Sequence, residues 1–375
     1  AFFRRLVLAG KEHNITSIAD FVAARYGKAQ GLGALVTVIA VTAAVPYIAL
    51  QFKAVAMSVN VLGGAAADAS HVSVPGDTAL YVALLLAVFS ILFGTRRIDA
   101  TEHHHGMMLA IALESLVKLV AFVIVGLFAW RAMDGDWQFD LPTAPATSDP
   151  GAAGFLAQTL LAACAMFCLP RQFQVGVVEC EQPDDLRTAR WLFPLYLVVI
   201  SLLVIPIAQA GLAASQGQNV PPDTYVLWLP MSLDAEAVAL IAYIGGFSAA
   251  TGMVIVASVA LATMVSNDLV VPMLLRWRTL KFAQRTDISA IVLGIRRITI
   301  VVLSLMAYAY YRLTESSQAL ASIGVLAFAA VSQFAPAIVG GLFWRGASRR
   351  GVAAGLGVGF ALWCYTLLLP SLAGA

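Results

Sequence analysis

Along most of the chain, apolar residues follow one another without the polar interruptions that would give a helix one wet face. Such stretches predict helices that are apolar all round, the pattern of a membrane span, because about 20 residues cross a bilayer at 1.5 Å per residue. They place nine segments, at 31–62, 78–96, 106–130, 154–178, 191–214, 236–268, 298–313, 319–343 and 351–370. Residues 1–30 precede this membrane domain, which occupies 31–375. They open with a helix tail carrying Arg4 and Arg5. In NITSIADFVAARYGK, residues Ile15, Ile18, Phe21, Val22 and Tyr26 then recur at helical spacing, as expected of an amphipathic helix lying in the membrane interface. Segments 31–62 and 236–268 are longer than a bilayer needs and must tilt or extend beyond it. One runs outward and the other inward, with four segments between them, a pairing that points to two repeats of opposite topology.

One segment departs from the pattern. From Ala162 to Cys180 the chain reads AACAMFCLPRQFQVGVVEC, so that Pro170, Arg171, Gln172 and Gln174 interrupt a span that is apolar before and after. Proline withdraws a backbone donor and clashes with the carbonyl one turn back, near Met166 and Phe167. In hydrocarbon, irregular backbone persists only where protein or a polar cavity satisfies it, which is the logic of a transport site built on a broken helix. The competing reading is a simple kink with Arg171 snorkelling to the surface.

Composition agrees with a membrane protein. Of 375 residues, 60% are hydrophobic and 12% charged, and the mean hydropathy of +0.85 excludes an ordinary soluble domain. A net charge of +2 without a basic tail gives no case for nucleic acid. Of the 23 Lys and Arg, 18 fall on the side of the N-terminus, Arg131 and Arg312 on the other, and Lys53, Lys118 and Arg171 within the spans. Positive loops stay in the cytoplasm, so the N-terminus is expected there, with the protein in a bacterial inner membrane. The chain begins at Ala1, inside the end of an apolar run, and is expected to be a piece of a longer reading frame. Cys164, Cys168, Cys180 and Cys364 read as packing thiols, since a closed zinc site needs four ligands.

Ionisable groups inside the spans are the candidates for chemistry. Glu114 and Lys118 stand at i and i+4, an order that permits mutual neutralisation, and serve either as a proton path or as helix glue. Lys53 has no acid on its own helix, and either contacts a solute or carbonyl or snorkels outward. Met166, Phe167, Cys168, Arg171 and Gln172 flank the break, where exposed backbone and an aromatic wall suit a small zwitterion. Pro46 loosens 31–62 beside Tyr47 and Gln51, and Ser332, Gln333 and Pro336 make a soft point in 319–343. Glu102 and His103 to His105 resemble a metal cluster, but consecutive histidines diverge on a helix, and a solvated helix start or pH sensing fits as well. Glycine-rich GLGVGF lies inside a span and is no phosphate loop, and no nucleophile with its base can be identified, so no enzyme is expected.

In chain order, SIADFVAARYG, FGTRRIDATEHH, MVSNDL, RRITIVVL and FAPAIVGGLFWRGASRRGVAAGLGVGF resemble the sodium:solute symporter family over nearly the whole chain. PYIALQFKAV, ATEHHHGMMLAIALESLVKL and FCLPRQFQVGVVE look more closely like the transporter-like sensory domain of bacterial carbon-and-nitrogen-control membrane histidine kinases. The resemblance implies an all-α polytopic membrane protein of the LeuT-type five-plus-five inverted fold, with core helices three to eleven present here. It also implies a small amino-acid solute, histidine among the substrates, and cytoplasmic kinase modules as partners. Tyr47 matches a tyrosine linked to substrate handling in the sodium/proline symporter, and Phe328, near Ser332, stands where a sugar symporter has a substrate-contacting side chain. Registering 236–268 on its SNDL end puts the family's sodium-binding positions on Ala249, Gly252 and Met253, with Thr251 beside them. Neither family hydroxyl is there, and a thioether is a poor ligand for a hard cation, so no resident cofactor is expected and protons fit better than sodium. The alternatives are a non-transporting receptor domain and a stand-alone sodium-coupled symporter.

The orientation is open to a direct check. A cysteine placed by Gly63→Cys should react with an impermeant maleimide in intact cells, and one placed by Thr188→Cys only after permeabilisation. The reverse result would invert the topology.

Overall fold

A computed structural model describes residues 2–64, 76–94, 105–133, 151–216, 218, 220–276, 288–314 and 319–373. In chain order the helices are α1 (Phe2–Glu12), α2 (Ile18–Arg25), α3 (Gln30–Leu62), α4 (Thr78–Gly94), α5 (His105–Ala132), α6 (Gly151–Cys168), α7 (Pro170–Phe173) and α8 (Asp185–Ala214). They continue as α9 (Tyr225–Ser232), α10 (Glu236–Met264), α11 (Val271–Arg276), α12 (Ile288–Leu313), α13 (Leu320–Ser332), α14 (Ala335–Phe343), α15 (Arg349–Trp363) and α16 (Leu369–Ala373). Wider π turns extend α7 over Gln174–Val178, join α10 to α11 over Val265–Val270 and join α15 to α16 over Cys364–Leu368. Among the described residues there is no strand, and eight helical stretches are long and apolar enough to cross a membrane. The expected segment 78–96 appears as α4, a shorter apolar helix of 17 residues. Residues 95–96 lie outside the described part, as do Glu102, His103 and His104, and of His105 only the backbone is described. The chain is an all-α polytopic membrane protein.

α3 and α10 form the centre. In their most apolar stretches 72% and 56% of residues are buried, against 11% in α6 and α8. α3 is apolar on every side and so is surrounded by α2, α4, α10, α12 and α13. Pro46 lies buried inside it, immediately before Tyr47. Small residues set how near its neighbours come: a Cβ at Gly94 would strike Val259, and one at Gly245 would strike Ala121, which brings α10 against α4 and α5. A second, smaller core lies where Val125, Ile207, Tyr225, Leu227 and Ala239 join α5, α8, α9 and α10.

The N-terminal helices correct one expectation. Ile18, Phe21 and Val22 of α2 are at most 1% exposed, and Phe21 packs against Phe173 with ring centroids 6.0 Å apart. The apolar face of α2 is thus turned into the protein and not toward lipid. Ser17 caps this helix by accepting from Asp20 N–H at 3.0 Å, and Asp20 accepts from Thr16 N–H at 3.0 Å. At the other end Tyr26 OH donates to Ala337 O at 2.8 Å and Arg25 Nε to Gly341 O at 2.7 Å, which ties α2 to α14. Burial pushes the Tyr26 hydroxyl above its ordinary pKa, so it stays protonated and remains a donor.

Elsewhere carboxylates join the helix ends. Asp77 accepts from Ala79 N–H at the start of α4, from Tyr308 OH and from Arg312 Nη1, each at 2.9 Å. Asp223 accepts from Leu320 N–H at 2.9 Å and so caps α13 from the short turn before α9.

Gly245→Ala should overpack the α5–α10 contact and lower stability by about 1–3 kcal/mol. Gly246→Ala, where a Cβ meets open space, should be neutral or gain up to about 1 kcal/mol of helix propensity. Melting of the two purified variants checks the contrast.

Candidate functional site

The chain breaks at Leu169, whose φ of −65° and ψ of 128° are extended, not helical. Leu169 N–H closes the last turn of α6 on Ala165 O at 3.1 Å, and Phe173 N–H opens the next on Leu169 O at 2.9 Å. Pro170 supplies no donor between them and starts α7, a favoured place for proline. A true break, not a kink, therefore precedes Arg171. Its side chain is half-buried and turned inward, so it does not snorkel.

Arg171 belongs to a cluster that draws side chains from four other helices. Its Nη1 approaches Tyr47 OH of α3 at 3.5 Å, and Tyr47 OH in turn lies 3.5 Å from Met253 Sδ of α10. Glu114 of α5, 8% exposed, is within electrostatic reach of Arg171 and of Lys118. Lys118 Nζ stands 5.8 Å from the centre of the Tyr196 ring of α8. The break before α7 and the missing side chain at Gly252 give this place its shape, while α3 runs on as helix through Pro46. A Cβ at Gly252 would collide with the Glu114 carboxylate, so the acid fills the space of an absent α10 side chain. Gln51, one turn beyond Tyr47 on α3, is buried on the same side.

The cluster is chemically polarised. An acid, an ammonium and a guanidinium share an apolar interior, where isolated charges cost several kcal/mol and persist by compensating one another. Opposite charges and two phenols can hold a zwitterion at both ends and can pass a proton through the carboxylate.

Other candidates are placed elsewhere. Met166 faces outward at 45% exposure. Phe167 turns to α1, edge-on to Phe2 with centroids 4.9 Å apart, and Cys168 is wholly buried in the main core. Gln172 is half-buried, one residue beyond Arg171. Phe328 packs on the core, and Ser332 donates to Phe328 O at 2.6 Å and Leu161 O at 3.3 Å, so this hydroxyl bonds neighbouring backbone. Thr251 donates to Phe247 O of its own helix at 2.8 Å, while Ala249 is half-buried and offers no side-chain oxygen. Lys53, at 5% exposure, is buried and does not reach outward. The four cysteines are free thiols, and no cluster of three or more potential metal ligands occurs among the described residues. Tyr196 escaped the sequence reading; its signal was a lone phenol in the apolar run WLFPLYLVV.

Fold and site together define a multi-span helical membrane protein with a charged centre at a broken helix. No family model matches the chain. It is similar to the uncharacterized symporter YodF of Bacillus subtilis, 23% identical over 368 residues that make up 96% of this chain and 69% of that protein. It is also similar to the uncharacterized symporter YhjB of the same organism, 24% identical over 255 residues, or 65% of this chain and 48% of that one.

Because a flexible carboxylate is what a side chain at 252 would strike, Gly252→Ala should displace Glu114 and leave the fold intact. Solute binding should fall in G252A, yet the same substitution should add less than about 0.5 kcal/mol in an E114A background. Equal losses in both backgrounds would separate the two residues.

Proposed function

We propose that the chain is the membrane core of a secondary transporter that carries a small amino acid, with histidine the first candidate. Transport proceeds by alternating access around the break at Leu169 and Pro170. The observation that carries the reading is the meeting of Arg171, just past that break, with Tyr47, Glu114 and Lys118 inside an apolar bundle. Intramembrane charge of this kind marks a solute or ion path by default. Names of the similar proteins support transport of a solute with an ion. A LeuT-type arrangement, a cytoplasmic N-terminus in an inner membrane and a link to kinase modules belong to the same proposal and rest on the motif resemblance and on the charge distribution.

Protons, not sodium, are the proposed coupling ion. At the positions that would hold sodium by the motif comparison, Gly252 has no side chain, Met253 offers sulfur to Tyr47 and Ala249 offers nothing. A carboxylate stands in the cleared space, and it can carry a proton between the two sides. The second reading, a receptor that binds the solute without moving it, is favoured by the kinase-like motifs around Tyr47, Glu114 and Arg171.

Radiolabelled histidine uptake into proteoliposomes holding the full-length protein separates these readings. Uptake under a proton gradient alone is expected, and E114Q should lower accumulation at least about tenfold more than it weakens histidine binding. Uptake that requires sodium would overturn proton coupling. Binding without accumulation under either gradient would establish the receptor.

A further inference from the structure

Two buried donors near Glu114 lack acceptors. Among the described residues, Arg171 Nε and the Tyr196 hydroxyl are both shut off from solvent and have no hydrogen-bond partner. Buried polar groups are nearly always paired, because leaving one unmade forfeits its hydration without return. Here two orphans from different elements, α7 and α8, stand within electrostatic reach of each other. Tyr196 lies within electrostatic reach of both Arg171 and Glu114. Tyr47, which faces the guanidinium, is engaged through Arg171 Nη1 and leaves Nε unanswered.

What such a pair accepts follows from charge. Arg171 and Lys118 with Glu114 leave a local balance of one positive charge, which suits a monoanion; a doubly charged phosphate would meet the Glu114 carboxylate at close quarters. Two donors on separate helices suit a group with two acceptor oxygens, and guanidinium binds carboxylate with matched geometry. We propose that Arg171 Nε and Tyr196 OH form the carboxylate subsite of the solute, with Tyr196 a specificity-determining residue. This deepens the amino-acid reading above and rests on it. The solute's cationic end is then left to Glu114, and the ligand joins α7 to α8 by bridging their two donors.

Ligand-induced melting shifts of the purified full-length protein test the assignment. The probes are histidine and a panel of other free amino acids, each beside its methyl ester, with histamine as the decarboxylated control. The expected result is that at least one free acid binds at least about tenfold more tightly than its ester, the worth of a hydrogen bond to a charged group. Tyr196→Phe should weaken that acid by about tenfold or more and leave the ester unchanged, collapsing the acid-to-ester ratio; Arg171→Lys should reduce it further. A destabilised fold would weaken both probes together, so the ratio isolates the subsite even if Arg171→Gln fails to fold. Esters that bind as well as acids, or a ratio unmoved by Tyr196→Phe, would overturn the subsite, as would the absence of a shift with every acid. The transport reading fails separately, if acids bind in preference to esters but none accumulates under either gradient.

Discussion

Pro170 has no N–H to give, and in an apolar surrounding that single missing donor cannot be made up by water. The chain answers by leaving the helix at Leu169 and starting again at Pro170, which points Arg171 inward and not along the surface. Much of the site follows. A guanidinium held inside the bundle requires counter-charge and acceptors nearby, and Glu114 and Tyr47 supply them from helices that do not adjoin the break in sequence. The central pair, α3 and α10, makes room for this polar centre. α3 brings Tyr47 to it, and α10 has a glycine where a side chain would displace the acid.

Compensation of charge explains why so few polar residues recur in such different settings. Asp77, Arg312 and Tyr308 form a closed set in which both phenol and guanidinium donate to one carboxylate oxygen at 2.9 Å, and a set so satisfied fastens α4 to α12. Around Arg171 the pairing is looser: contacts of 3.5 Å, a ring under an ammonium and two donors without acceptors. Close pairing favours a fixed joint, while loose pairing leaves capacity for a guest. This contrast between two charge groups of one protein separates structural glue from a binding centre better than either group's composition does.

Much of this was legible in the chain itself. All-round apolarity over spans of bilayer length dictates helices and their approximate limits, because backbone donors in hydrocarbon have no partner outside the helix. The interruption at Pro170 was equally plain, since proline's lost donor is a local property, and so was the proximity of Glu114 to Lys118, one turn apart on one helix. Tertiary structure decided the rest. Which flank of the break faces the centre depends on the rotation taken up at Leu169, so Arg171 turned inward while Phe167 turned to Phe2 and Met166 outward. The α2 periodicity showed an apolar face but not what covers it, and the cover proved to be protein. Gly252 read as a missing ligand until a carboxylate from α5, far away in sequence, filled its place. Tyr196 drew no notice in the chain and gains a role only where the fold sets Lys118 over its ring and Arg171 within electrostatic reach. Periodicity fixes which residues share a face along one helix; which faces meet is set by packing among distant segments, and the site exists only there.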